Sequence, residues 1–133
     1  MPEFAREECY AMLREPGRDA IVATLRPDGT PHAVPVWYVV DGEDLVFTTW
    51  LTTVKARNLR ANPHVALCIS SPSDPTAYVL FEGEAEINET PAGPEARLMA
   101  LIYERYGEPF NGTFTEGTIF VRVHPRRISG ASF

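Results

Sequence analysis

Two tight-turn signals set among β-formers limit what this chain can fold into. Pro27-Asp28-Gly29 separates DAIVATLR (residues 19–26) from PHAVPVWYVV (31–40), and Asp41-Gly42 separates that run from LVFTT (45–49). Proline presets φ, glycine accepts φ > 0 and aspartate bonds its own nearby backbone, so each site reverses the chain. β-Branched and aromatic runs between such close turns are strands, and the three together read as a meander. Pro35 lies inside the second run and removes a donor. That run therefore lies at an edge, at a bulge or beside a locally unpaired position.

The remaining elements follow from local signals. Residues 2–14 read as a helix: Pro2 and the early glutamates suit a first turn, and Phe4, Cys9, Met12 and Leu13 form an apolar stripe. Glu15-Pro16-Gly17 ends it. Thr52 or Thr53 caps a short helix over 54–62, which Pro63 stops. Strands are predicted over 65–70 and 78–88. A helix over 91–106, beginning at Pro91, carries Leu98, Leu101, Ile102 and Tyr106 on one side. A glycine- and aromatic-rich loop (107–117) precedes a last strand at 118–124 and a tail at 125–133. Phe110 and Phe114 in that loop are placed to shape a pocket mouth or to cover a barrel end. About six strands with peripheral helices, in irregular order, make a mainly β, six-stranded antiparallel barrel rather than a parallel doubly wound sheet. A length of 133 residues fits one domain spanning 1–133.

Several function classes fall away. The chain has 12 basic and 18 acidic residues, a net charge of −6. Nucleic-acid binding needs a cationic surface, so it is not expected. No apolar run approaches the ~18 residues that cross a bilayer. The first residues, MPEFAREECY, are broken by charge and do not resemble a secretory signal, so a cytoplasmic protein is expected. Cys9 and Cys68 form neither a disulfide framework nor a metal spacing, and Cys68 reads as a small core residue. His32, His64 and His124 lie far apart in the chain, so no metal site is expected. Glu82, Glu84 and Glu86 share one strand face and read as solvated. Neither a nucleophile elbow nor a dinucleotide or Walker motif occurs.

One segment carries a chemical signal. No acid occurs between Asp44 and Asp74, although the chain as a whole is acidic. That window holds Lys55, Arg57 and Arg60 around the start of the short helix, and Lys55 is the only lysine of the chain. With Thr53 as N-cap, Lys55 occupies the second helical position, where a cation opposes the helix dipole by ~0.3–1 kcal/mol. A bound anion reverses that sign. The first-turn N–H groups, the hydroxyls of Thr48, Thr49, Thr52 and Thr53, and the Lys55 ammonium then converge on a phosphate. A solvated basic helix face is the plain alternative.

The stretch IVATLRPDGTPHAVPVWYVVDGEDLVFTTWLTTVKARNLRANPHVALCI (residues 21–69) resembles the split β-barrel of the pyridoxamine-phosphate-oxidase-like flavin and deazaflavin proteins. The likeness rests on the Asp-Gly turns, Pro35-x-Trp37, and Lys55-x-x-Asn58-Leu59-x-x-Asn62-Pro63, with Gly83-x-Ala85 on a later strand. It implies a homodimer with a cofactor in an interface groove and the cofactor phosphate near Lys55. Thr48, Thr49, Trp50, Thr53, Ala56, Arg57 and Arg60 would surround it, the two arginines toward the phosphate or an acidic cofactor tail. The ring would lie against the strand backbone through Pro35, Val36 and Trp37. The short chain, the arginine bias and TTVKARNL are most similar to the group that uses coenzyme F420, a 5-deazaflavin. The expected activity is hydride transfer from reduced F420 to a small electron-poor organic substrate. The alternatives are an FMN-binding oxidase or flavin reductase, or a non-catalytic cofactor-binding protein. No side chain is assigned as catalytic.

Overall fold

A computed structural model describes residues 3–90 and 94–133. It contains α1 (Arg6–Arg14), β1 (Ala20–Leu25), β2 (Pro31–Val36), β3 (Tyr38–Asp41), β4 (Asp44–Trp50), α2 (Val54–Ala61), β5 (His64–Ser70), β6 (Ala77–Asn88), α3 (Pro94–Arg105) and β7 (Thr118–Ser132). The expected helix starts at Pro2 and Pro91 lie outside the described residues, but the first helix begins only at Arg6: Glu3 bridges Ala131 and the Phe4 N–H bonds the Gly130 carbonyl at 2.9 Å, which holds residues 3–5 extended against β7. The strands form one antiparallel sheet in the order β2-β1-β5-β6-β7-β4-β3.

Both turn signals fold as the sequence demands. Asp28 accepts from the Thr30 N–H at 3.0 Å and from its hydroxyl at 2.6 Å. Gly42 takes φ +64° between β3 and β4. The mainly β architecture with peripheral helices stands, with seven strands where six were expected. The extra one comes from residues 31–40, which split at Trp37. Its first half pairs with β1 (Ile21 opposite Pro35) and its second half with β4 (Tyr38 opposite Phe47). The Tyr38 N–H leaves the ladder for the Tyr106 hydroxyl at 3.4 Å. The simple meander is thereby corrected: β2 and β3 are consecutive in the chain yet form the two outer edges of the sheet. The curled sheet brings these edges together at Trp37 without a ladder between them, so the barrel is split.

The tail is also corrected. Residues 125–133 continue β7, which pairs with β6 as far as Ala77 opposite Ser132. The long β6–β7 ladder shifts register between Glu82 and Gly83. A Cβ on Gly83 would sit 2.0 Å from the His124 carbonyl oxygen, so only glycine admits this approach.

The interior is built by alternation. Val22, Phe47, Leu67, Val79, Phe81, Val121 and Val123 point inward with Cys9 and Leu13 of α1. Tyr38 is fully buried, donating to the Leu13 carbonyl at 2.8 Å, and burial pushes its phenol well above the ordinary range. On the outer side, α3 covers β4 and β7 through Leu98 and Met99 against Val46 and Phe120. Leu101, expected on that buried face, is exposed, while Ile102 is buried. The outer face of β2, β1, β5 and β6 stays open. Its centre is apolar: Pro35, Ile21, Cys68 and Leu80 lie in register across four strands, beside Ala33, Ala23 and Ala66, with Glu82 completing that second row. Cys68, read as a core residue, is exposed on this face; the VALCIS alternation buries Val65, Leu67 and Ile69 instead.

Candidate functional site

The site begins where β4 hands over to α2. Thr53 caps the helix, its hydroxyl oxygen accepting from the Ala56 N–H at 3.3 Å, and Thr49 lies 3.1 Å from it, oxygen to oxygen. The Lys55-to-Pro63 motif explains why the helix sits rigidly. Asn58 is buried and donates to the Thr24 hydroxyl at 3.0 Å, tying α2 to β1. Leu59 enters the core. The Asn62 side chain accepts from the His64 N–H at 3.1 Å, and Pro63 closes the helix. Four residues of the motif thus hold the helix, and the fifth, Lys55, is left to face a cavity.

That cavity measures about 400 Å³. Thr48, Thr49, Trp50, Thr53 and Lys55 form one end, Tyr103, Phe110 and Phe114 the other. Lys55 is half-buried at the second position of a helix whose first turn holds no acid. Among the described residues it makes no ion pair, and burial alone draws its ammonium below the ordinary lysine range. A partly desolvated cation among threonine hydroxyls, beside the amides of Val54 and Lys55 that a first helical turn leaves unbonded, is a site for an anion. The donor set fits a phosphate monoester or diester. It offers no group of carboxylates, histidines or cysteines that could hold a metal, among the described residues.

Of the eleven residues expected around a cofactor, five line this cavity: Thr48, Thr49, Trp50, Thr53 and Lys55. The other six lie outside it. Ala56 is fully buried and gives its N–H to the Thr53 cap. Arg57 is exposed and forms no ion pair among the described residues. Arg60 is occupied, bonding Glu89 at 2.8 Å and the Leu51 carbonyl at 3.0 Å. Pro35 and Val36 belong to the edge strand β2. Trp37 stands at the seam, edge-on to Tyr103 at 6.0 Å and stacked on Tyr106 at 4.7 Å and 7°. Phe110 and Phe114 do wall the cavity, and Tyr103 lies 5.2 Å from Phe110. The sequence reading missed Met99, Tyr103, Thr113, Thr115 and Thr118. The aromatic spacing Tyr103, Tyr106, Phe110, Phe114 was the signal available for that wall.

The glutamates of β6 are less solvated than expected. Glu82 pairs with Arg127 at 3.0 Å, Glu84 with Arg126, and Glu86 with His124 at 2.9 Å. Arg126 and Arg127 come from the segment read as a tail, so no sequence signal placed them opposite Glu84 and Glu82.

The family model of pyridoxamine 5'-phosphate oxidase matches residues 6–130. The chain belongs to that family. Among solved structures, this family member is similar to an F420 reductase at 30% identity and TM-score 0.76, with 93% of this chain and 98% of the other aligned. It is similar to a conserved hypothetical protein from Mycobacterium tuberculosis at 29% identity and TM-score 0.75, over 95% and 84% of the two chains. A FAD-binding protein from Mesorhizobium loti shares the fold at 20% identity and TM-score 0.76, over 97% and 95%. No curated protein matches the chain. The family points to an oxidoreductase-like protein.

Proposed function

We propose that this protein is a cytoplasmic, homodimeric F420-dependent oxidoreductase that passes a hydride to a small electron-poor organic substrate. The observation that carries the reading is Lys55, a half-buried cation without an acidic partner among the described residues, facing a hydroxyl-lined cavity. Support for the deazaflavin comes from the similarity to an F420 reductase. When bound, the deazaflavin supplies the hydride chemistry. The chain's own residues bind and orient. Lys55, Thr48, Thr49 and Thr53 hold the phosphate. Arg57 extends positive charge from the helix toward an acidic tail. Tyr103, Phe110 and Phe114 form an apolar wall that excludes water from the other end of the cavity.

Parallel fluorescence titrations with F420 and FMN test this. Tight F420 binding with weak FMN binding is expected, followed by oxidation of reduced F420 in a substrate screen. The reverse preference assigns the protein to the FMN branch. Tight binding without turnover leaves a cofactor-binding protein.

The second copy is proposed to pack on the open apolar face of β2, β1, β5 and β6, where Ile21 and Leu25 are 43% and 42% exposed. Light scattering at micromolar concentration is expected to give a dimer mass. Ile21→Glu places a charge in that face and is expected to give a monomer. A wild-type monomer overturns the dimer.

A further inference from the structure

The last turn of α3 contains a contact system that the anion site does not use. Arg105 donates to the carbonyls of Leu13 at 2.9 Å, Arg14 at 3.1 Å and Glu15, which are the end of α1. It also donates to the Tyr38 hydroxyl at 2.9 Å and lies 4.5 Å over the Tyr38 ring. One guanidinium thus meets the negative ends of two helices, its own and α1, where a cation is favoured. The next residue, Tyr106, works on the seam. Its hydroxyl donates to the Arg18 carbonyl at 2.8 Å and accepts from the Tyr38 N–H at 3.4 Å, while its ring lies flat on Trp37.

These contacts make a continuous chain toward the cavity. Arg105 fixes Tyr38 and the end of α3, and Tyr106 fixes the backbone after Trp37 and one face of its indole. Trp37 meets Tyr103 edge-on, and Tyr103 lines the cavity. Arg105, Tyr106 and Trp37 themselves do not line the cavity. Arg105 exceeds what joining two helices requires, because three of its acceptors already close α1 and the remaining bond is spent on the residue beside Trp37.

We propose that Arg105 and Tyr106 are positioning residues that set the orientation of Trp37, and through Trp37 and Tyr103 the aromatic end of the cavity, leaving the anion end alone. The effect on ligands rests on reading the cavity as a cofactor site; the effect on Trp37 does not.

The chain has two tryptophans, so a Trp50→Phe background leaves Trp37 as the sole indole reporter. Near-ultraviolet circular dichroism of that background reads the Trp37–Tyr106 stack. Ligand binding is measured with Trp50 restored, using F420 and FMN as ring-bearing probes and inorganic phosphate as a probe of the Lys55 end. Tyr106→Leu is expected to abolish the Trp37 band and weaken the ring-bearing cofactor by about three- to tenfold, the worth of one aromatic stack. Phosphate affinity is expected to stay within about twofold. Arg105→Met is expected to do the same, and Arg105→Lys to restore part of the band. Should Arg105→Met not fold, Tyr106→Phe keeps the stack and deletes both hydroxyl bonds, and a broadened Trp37 band is expected. An unchanged band in Tyr106→Leu overturns the proposal. So does a loss of phosphate and cofactor affinity in equal measure, which marks general loosening. If the wild type binds neither F420 nor FMN, the functional reading fails, and the Trp37 band still decides whether Arg105 and Tyr106 orient the indole.

Discussion

Replacing Lys55 by alanine should separate binding from stability. In the free protein this ammonium is half-buried, unpaired among the described residues and set at the wrong end of a helix dipole. The dipole cost of such a cation is ~0.3–1 kcal/mol, and its desolvation adds to this. Lys55→Ala should therefore leave the unliganded protein as stable as wild type or more so. The bound state behaves oppositely. A hydrogen bond to a charged phosphate contributes about 1.5–3 kcal/mol, so cofactor affinity should fall about ten- to a hundredfold. The pH dependence has a definite sign. Because the folded pKa is drawn down, the unfolded chain binds more protons between the two pKa values, and the lysine's penalty on stability fades as pH rises through that window. Affinity for the anion should fall over the same alkaline range, and Lys55→Ala should flatten both trends. Thermal unfolding of the free protein and fluorescence titration of the cofactor are the assays. A lower melting temperature with unchanged affinity would show a merely structural lysine and refute the reasoning.

Other substitutions test the frame around the site. Asn58→Ala leaves the Thr24 hydroxyl buried without its donor and should cost about 1–3 kcal/mol in urea unfolding. Gly83→Ala forces a Cβ onto the His124 carbonyl and should destabilise by at least ~1–3 kcal/mol, the usual cost of overpacking, read by the same unfolding curves. The hydrogen bond to Glu86 and the Asp44 charge raise the His124 pKa. Its contribution is therefore complete below the unfolded pKa of ~6.5 and is lost as pH rises through the folded value above it. His124→Gln should remove that slope, with an amplitude under about 1 kcal/mol because the pair is exposed.

Local chemistry made much of this molecule legible. The Asp-Gly turns, the Thr53 cap and the Pro63 stop act within a few residues, so their sequence signals survive folding unchanged. The same holds for Lys55: the acid-free window and its helical position are local facts. Trp37 is different. Nothing local breaks residues 31–40 at that position; the break is held by Tyr106, which supplies an acceptor and a stacking surface from far along the chain. Residues 125–133 look like a tail because Pro125 and the two arginines after it are poor strand formers. Pairing with β6 across the Gly83 irregularity overrides that preference. The ion pairs of Glu82 and Glu84 follow only once that ladder exists. Cys68 shows the limit of reading a short apolar run, where either of two faces can be the inner one.

The split seam bears on how safely the chain folds. A barrel that does not close leaves two edges, each a template for pairing with another molecule. Here β2 carries Pro31 and Pro35, which have no N–H to offer, and β3 spans only Tyr38–Asp41. One edge has lost two of its donors and the other lacks length. Newly made chains, still carrying an uncovered apolar sheet face, therefore have little means of joining edge to edge into aggregates while the remaining strands assemble.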